Sequence, residues 1–349
     1  METHVFIARC DEYDLASAAV DRVLDAFGGA GAILNGRKLV LVKPNLIMPR
    51  KPDDNATTHP AVIAAVCSAF AKAGASVTII DSTGGPHTKM LLKMLYSRCD
   101  MTGAAEKSGA SLSYNTASRA VSVPNGRIVK KLELLSPVLD AELVVSVAKA
   151  KTHGFMAMTG CVKNMFGCIP GMGKPNMHRK YSKREDFAGM LVDLCQQVAP
   201  GFSILDGIVG MEGAGPTAGK SKRLNVIAGG FSPYAVDLAQ CYLMGLRPDS
   251  IYTIREAASR GLAPDVPASL TWLGDDPEPL RSNFKPAVNN KNDAVPTIMD
   301  NCTGCGDCAR ICPQKCITVQ NKRANIKGSD CIRCYCCHEF CPSKAVSLE

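Results

Sequence analysis

Eight cysteines near the end of the chain carry the plainest chemistry in the sequence. Cys302, Cys305, Cys308 and Cys312 are spaced x2, x2 and x3 and run into Pro313; Cys331, Cys334, Cys337 and Cys341 repeat the spacing and run into Pro342. Two-residue gaps let three thiolates converge from one tight loop on one inorganic core, and the proline then turns the chain away. This is the double run that binds a pair of [4Fe–4S] clusters, the fourth cysteine of each run ligating the other cluster. Cys302, Cys305, Cys308 and Cys341 are therefore assigned to one cluster, and Cys331, Cys334, Cys337 and Cys312 to the other. Cys316 and Cys336 are left over. Taking Cys336 as a ligand would break the second spacing, so it reads as a bystander thiol beside Cys337.

Other uses of cysteine fit less well. Structural zinc also takes Cys-x2-Cys pairs, but it closes with four ligands and needs no pair of triplets each trailed by Cys-Pro. A disulfide framework is disfavoured because the cysteines number seventeen, an odd count, and nine of them lie outside the two runs in a chain long enough to fold without staples.

A second concentration of chemistry lies in residues 143–184, which hold eight Lys or Arg, two His, five Gly and no Asp or Glu. Cations without competing carboxylates leave a field for an anion, and glycine lets the backbone come close to a ligand. The bland alternative is a solvated basic loop. The reading preferred here is a carboxylate- or phosphate-bearing ligand held by some of Lys151, His153, Lys163, Asn164, Lys174 and His178, joined by Lys43 and Asn45 from an earlier loop. His153 and Glu212, the latter in a glycine-rich stretch from Asp206 to Gly219, are the candidate catalytic residues, either of which would move protons as general acid or base. Asp237 reads as structural.

These residues need elements to position them. Apolar runs at 4–10, 38–42 and 76–80 alternate with helical patterns, one capped by Asp14 and ending near Gly28, the other running from Pro60 to about Ala73. Further strands are predicted near 142–147, 202–205, 225–228 and 269–273, with helices at about 185–198, 233–245 and 249–260. Such alternation predicts an α/β fold: a mostly parallel, Rossmann-like sheet with helices on both faces. Polar groups follow several of the strands (Lys43 to Asn45, Asp81 to Gly85, Lys149 to His153, Asp206 to Gly207), and in open α/β sheets ligands bind beyond the carboxyl ends of the strands. The cysteine runs predict a small α+β ferredoxin-type unit. The expected domains are 1–275, a Pro-, Asn- and charge-rich linker at 276–297 running over the surface, and 298–349.

Composition closes off other classes. The chain has 349 residues, 46% hydrophobic and 5% aromatic, with a formal charge of +8. Two ligated clusters would add about four negative charges, leaving too little positive charge to argue for nucleic acid, and no nucleic-acid-binding signature is present. No run is long and apolar enough to span a membrane, and residues 1–14 lack the basic and apolar regions of a signal peptide. A cytoplasmic location without membrane partners is expected. Nucleotide fingerprints fail: Gly171-Met172-Gly173-Lys174 is followed by Pro175 rather than Ser or Thr and lacks the earlier glycine of a P-loop, and no strand is followed by Gly-x-Gly-x-x-Gly.

The series Val42-Lys43-Pro44-Asn45-Leu46, Lys151-Thr152-His153, Thr159 to Gly167 with its Cys161-Val162-Lys163-Asn164 core, and Asp206-Gly207 to Glu212-Gly213-Ala214-Gly215-Pro216 resembles the domain-of-unknown-function family three-six-two. The tail from Cys334 to Pro342 is similar to the two-cluster ferredoxin that members often carry. The resemblance covers most of residues 1 to about 275 together with the tail; it implies an iron–sulfur protein with an α/β domain and leaves the reaction open. The expectation is an iron–sulfur oxidoreductase passing low-potential electrons to an anionic small molecule in the α/β crevice, with an electron donor or acceptor protein as partner. Two other classes stand beside it: a non-enzymatic electron carrier or scaffold, and a reductive activation or assembly factor for another protein's metal centre.

Overall fold

The computed structural model describes residues 1–287 and 294–348. Among the described residues the main sheet has nine strands, in the spatial order Thr271–Gly274, His4–Arg9, Lys220–Gly230, Phe202–Glu212, Leu143–His153, Leu39–Pro44, Ser76–Ile79 and Ser111–Leu112, with Ala157–Thr159 folded back on Leu143–His153. Four neighbouring strands from Phe202–Glu212 across to Ser76–Ile79 run parallel. His4–Arg9 pairs antiparallel with Lys220–Gly230, and that strand antiparallel with Phe202–Glu212. The fold is thus the expected α/β class with a mixed, mostly parallel sheet. The first strand does not lie beside the second: three strands separate them.

Side-chain alternation sorts the strands between two helical layers. Val40, Val42, Val145, Val147 and Ile204 pack with the helices Ala16–Asp25, Pro60–Lys72 and Met101–Ser108. Leu41 and Val144 face the helix Arg184–Val198, and Ala148 and Leu205 face Pro233–Leu243. Leu143–His153 is buried at all eleven positions, as a central strand covered on both faces must be.

Several expectations are corrected. Asp14 makes no cap: it lies in a 3-10 turn, Tyr13–Leu15, and the helix that follows starts at Ala16 without a side-chain hydrogen bond at its end. Lys149, Lys151 and His153 do not follow a strand but belong to it, and Asp206 to Glu212 likewise lie within one rather than in a glycine-rich loop. Their polar side chains conceal the continuing strand, because burial with partners replaces burial by apolarity. The solvated-loop alternative for residues 143–184, which is not the preferred reading, fails: Lys149, Lys151, His153, Lys163, Lys174 and His178 are all buried. The helices Lys89–Arg98 and Met101–Ser108 and the hairpin Ser118–Ser122 with Lys131–Leu135 had no sequence expectation.

The stretch expected as a linker runs over the surface but is fastened to it. Asp275 pairs with Arg22 at 2.8 Å, Phe284 is buried in the core, and the Lys285 carbonyl accepts the Gly213 N–H. The middle of that stretch, residues 288–293 with Asn289 and Asn290, lies outside the described residues, as does Glu349. Residues 294–348 form a small unit of paired strands, Thr297–Ile298 with Val346–Ser347 and Ile317–Gln320 with Arg323–Ile326, and two short helices, Asp307–Ile311 and Cys336–Glu339.

Candidate functional site

The carboxyl ends of the central parallel strands open on a cavity of about 50 Å³. Lys43 and Asn45 end one strand and Asp81 follows the next; Lys163 and Asn164 come from the short helix Cys161–Asn164, and Lys174 and His178 from the helix Gly173–Lys180. The remaining wall is the tail: Cys336, Glu339 and Phe340 close the cavity from the opposite side.

A polar lattice holds the floor. Lys43 Nζ lies 3.0 Å from Asp81 Oδ1 and donates to the Pro44 carbonyl at 2.6 Å and to Asn164 Oδ1 at 3.4 Å. Asn164 Nδ2 donates to the Lys43 carbonyl at 2.9 Å and to Ser146 Oγ at 3.1 Å. With the Asn164 amide so oriented, Asn45 must turn Nδ2 toward Asn164 Oδ1, at 3.3 Å, which leaves Asn45 Oδ1 without a partner among the described residues. Gly167 is required here, since a Cβ would collide with Lys43 and Asp81. The helix carrying Lys163 and Asn164 is held at its start by Asp237, which accepts the N–H groups of Cys161 and Val162. Burial pushes the Asp237 carboxyl up to about 7 although those N–H groups pull it down.

The cations are not equivalent. Lys174 Nζ donates to the Ser82 and Thr83 carbonyls at 3.0 and 3.3 Å; burial lowers its ammonium to about 8, with Asp81 opposing and Lys43 adding to the shift. Lys163 is only 8% exposed and has no hydrogen bond or ion pair to any described residue, its amine lying 5.7 Å from the Phe166 ring centroid. Burial lowers its pKa, with Glu339 opposing. His178 stacks on Phe187 at 4.3 Å, and burial depresses it to about 3, so the ring is neutral.

Tail and sheet are joined by several contacts. Glu339 Oε1 lies 3.0 Å from His153 Nε2, and the Glu339 carbonyl accepts Thr217 Oγ1 at 2.9 Å. His338, buried in the tail, places Nε2 3.1 Å from the Ala214 carbonyl and Nδ1 2.6 Å from the Val346 carbonyl. Arg50 donates to the Cys341 and Pro342 carbonyls at 3.0 and 3.2 Å. Phe340 packs so closely on Gly84 that a Cβ there would overlap its ring. Burial opposes a charge on Glu339, yet His153, which faces it, and the Lys163 ammonium overcome that and hold the carboxyl well below the usual carboxylate range.

The predicted site residues therefore divide. Lys43, Asn45, Lys163, Asn164 and His178 line one cavity, together with Lys174. Lys151 is fully buried and gives its amine to the Ala56 carbonyl. His153 sits behind Glu339. Glu212 is not brought to the cavity: its Oε2 accepts the Lys285 N–H at 2.9 Å, fastening the segment after residue 275. Sequence reasoning passed over Glu339, Phe340 and the ligand side of Asp81. The one signal for Glu339 is an acid set between Cys337 and Cys341 in a tail opposite an acid-free basic stretch.

The tail cysteines surround two spaces of their own. A cavity of about 10 Å³ is lined by Cys302, Cys305, Cys308 and Cys341. Another of about 20 Å³ is lined by Cys312, Cys331, Cys334 and Cys337, with Cys316 and Cys336 also at its wall. Cys316 lies 3.5 Å from Cys312, sulfur to sulfur. Among the described residues no group of three or more His, Cys, Asp or Glu is placed to hold a metal ion; the thiols line two small spaces. Cys336 is the one cysteine that touches both the second thiol cavity and the basic one.

Among the described residues no helix is long and apolar enough to cross a membrane. A thylakoid-associated protein of Synechocystis sp. is 30% identical over 294 residues, covering 80% of this chain and 86% of that protein. Among solved structures, the lactate racemase apoprotein of Thermoanaerobacterium thermosaccharolyticum superposes with a TM-score of 0.44 at 13% identity over 69% of this chain and 56% of that one. A structural-genomics protein from Thermotoga maritima gives 0.36 at 10% identity over 58% and 52%. The chain thus spans little more than half the length of either solved structure. The family model described as domain of unknown function (DUF362) matches residues 40–242, which include every sheet-side residue of the basic cavity and stop short of the tail; the chain belongs to the DUF362 family.

Proposed function

We propose that this protein is an iron–sulfur oxidoreductase that delivers electrons to an anionic ligand held in the basic cavity. Cys302, Cys305, Cys308 and Cys341 would hold one [4Fe–4S] cluster and Cys312, Cys331, Cys334 and Cys337 the other, a division that the two separate thiol-lined cavities support. Bound there, the clusters supply low-potential one-electron transfer. The observation that carries the reading is the shared wall: Cys336 and Glu339, on the same short helix as Cys337, line the cavity that Lys43, Lys163 and Lys174 face. A free-standing electron carrier has no need of a buried cationic chamber beside one of its cysteine loops. Lys163 and Lys174 neutralise the ligand, Asp81 fixes Lys43, and Phe340 helps to close the chamber against water. A reducing compartment such as the cytoplasm suits the thiolates. The name of the Synechocystis relative favours peripheral association with a membrane surface as a second reading of location.

The test is anaerobic. Reduced protein is mixed with a panel of small carboxylates, phosphates and oxidised cofactors while the cluster absorbance is followed. Selective reoxidation by one compound, lost in Lys163→Ala with iron content unchanged, is the expected result. If no compound on the panel reoxidises the wild type, the carrier or activation-factor reading replaces this one.

A further inference from the structure

The size and charge of the cavity bound what it can hold. At about 50 Å³ it has room for roughly three to five water-sized atoms, far below a nucleotide or a sugar phosphate. Three lysines, 43, 163 and 174, face two carboxylates, Asp81 and Glu339. His178 is neutral, and the His153 behind Glu339 is pushed down to about 4 by burial. Among these five lining side chains one positive charge is left over. It resides on Lys163, since Lys43 is paired with Asp81, and Lys174 is engaged by two carbonyls but keeps one N–H free. The Lys163 amine has no hydrogen-bond partner among the described residues, and a single anion beside it supplies one. Asn45 Oδ1, buried and unpartnered, is an acceptor for a ligand hydroxyl.

From this we infer that the cavity binds one compact monoanion with one to three oxygens, of the formate, hydrogencarbonate or nitrite type, between Lys163 and Lys174. Dianions and cofactor-sized ligands are excluded. The inference rests on the proposed function, whose crevice ligand it reduces to a chemical class. Glu339 acts as the charge selector: its carboxylate lowers the cavity from a net charge that would suit a dianion to one that suits a monoanion.

The experiment is isothermal titration of the anaerobic, cluster-loaded full chain at pH 7 with formate, hydrogencarbonate, sulfate and succinate. Formate or hydrogencarbonate should bind one to one, sulfate at least tenfold more weakly, and succinate not at all. Lys163→Met should abolish binding while iron content and circular dichroism stay at the wild-type level. Should Lys163→Met fail to fold, Glu339→Gln provides an independent arm, in which sulfate affinity rises at least tenfold relative to formate. Sulfate or succinate binding the wild type as tightly as formate overturns the size and charge assignment and leaves electron delivery to a larger crevice ligand standing. Absence of binding by every probe overturns the assignment too. The proposed function is judged separately, by whether any compound reoxidises the reduced clusters.

Discussion

His153 and Glu339 meet across the junction of sheet and tail, Nε2 to Oε1 at 3.0 Å. His153 Nδ1 accepts the N–H groups of Phe155 and Met156 at 3.0 and 3.2 Å, so the ring proton sits on Nε2 and faces the carboxylate. The approach is close, though its angle is not that of a formed hydrogen bond. Because the imidazole is neutral, the contact is worth less than a buried ion pair, and because it is poorly aligned the value of about 1.5–3 kcal/mol for a well-formed hydrogen bond to a charged group is its upper bound. Glu339→Ala should therefore open the junction more often, by up to about a hundredfold. Hydrogen exchange at residues 213–217 and 336–340 reads this directly. Unchanged protection there would mean that Thr217, His338 and Arg50 hold the tail without it.

Gly84 gives a sharper handle on the same junction. A Cβ at this position would overlap the Phe340 ring, and overpacking of this kind costs about 1–3 kcal/mol. Gly84→Ala should loosen the tail while the core helices of the α/β part keep their exchange protection. Gly84→Ala with Phe340→Ala should recover part of the loss. A double-mutant cycle with no coupling would show that the two residues do not press on one another in solution.

Lys174 sets a pH limit on the cavity. Its folded pKa, about 8, lies below the ordinary lysine value of 10.5 because it is buried. Between those values the unfolded chain binds the extra proton, so this group adds stability as pH rises from about 8 to 10.5 and penalises the fold below that window. Ligand binding runs the other way, since deprotonation removes a cation from the site. Affinity for a bound anion should be flat below pH 8 and fall by up to about tenfold per unit above it. In Lys174→Met the fall should vanish and the plateau should be lower. Titrations from pH 6.5 to 9.5 decide it.

Much of the scaffold was legible in the sequence, and the reasons show where legibility ends. Val40, Val42, Val145 and Val147 announce buried strands through apolarity alone. Strand continuation through Lys149, Lys151 and His153 is hidden, because each polar side chain faces a polar group distant in sequence: Asp206 for Lys149, Ala56 for Lys151, Glu339 for His153. The basic stretch is recognisable from its missing acids, and with Lys43 and Asn45 it points to six residues that line the cavity. Glu212 was misplaced because a carboxylate among glycines looks like a site whether it faces a ligand or, as here, a backbone N–H of Lys285. That the tail closes the chamber was not legible at all, since it depends on how residues far apart in sequence dock.

Asp237 should matter to binding without touching the ligand. It holds the start of the Cys161–Asn164 helix, and losing such a cap costs about 0.5–2 kcal/mol. Asp237→Ala should weaken anion binding through Lys163 and Asn164, whereas Asp237→Asn, which keeps one acceptor oxygen, should retain more of it. The pH signature separates a buried acid from a plain packing residue. Its folded pKa, about 7, stands above the ordinary 3.8, so its contribution to stability is full below the unfolded value and is lost as pH rises toward 7. Asp237→Asn should flatten the stability profile between pH 4 and 7. A profile identical to wild type would assign the slope to other groups.

The cysteines separate by cavity, and iron content tests the division. The wild type should hold about eight irons per chain. Cys331→Ser should lose about half of them, from the cavity that also contains Cys312, Cys334 and Cys337, and Cys305→Ser about half from the other. Cys336→Ser should keep the full complement, because Cys336 lies outside both sets of four. Yet Cys336 is the side chain common to the second thiol cavity and the basic one, so this substitution should change how an anion in the chamber perturbs the cluster spectrum. Loss of iron in Cys336→Ser, with Cys337→Ser retaining it, would exchange the roles of these two neighbours and move the ligand set one residue toward the chamber.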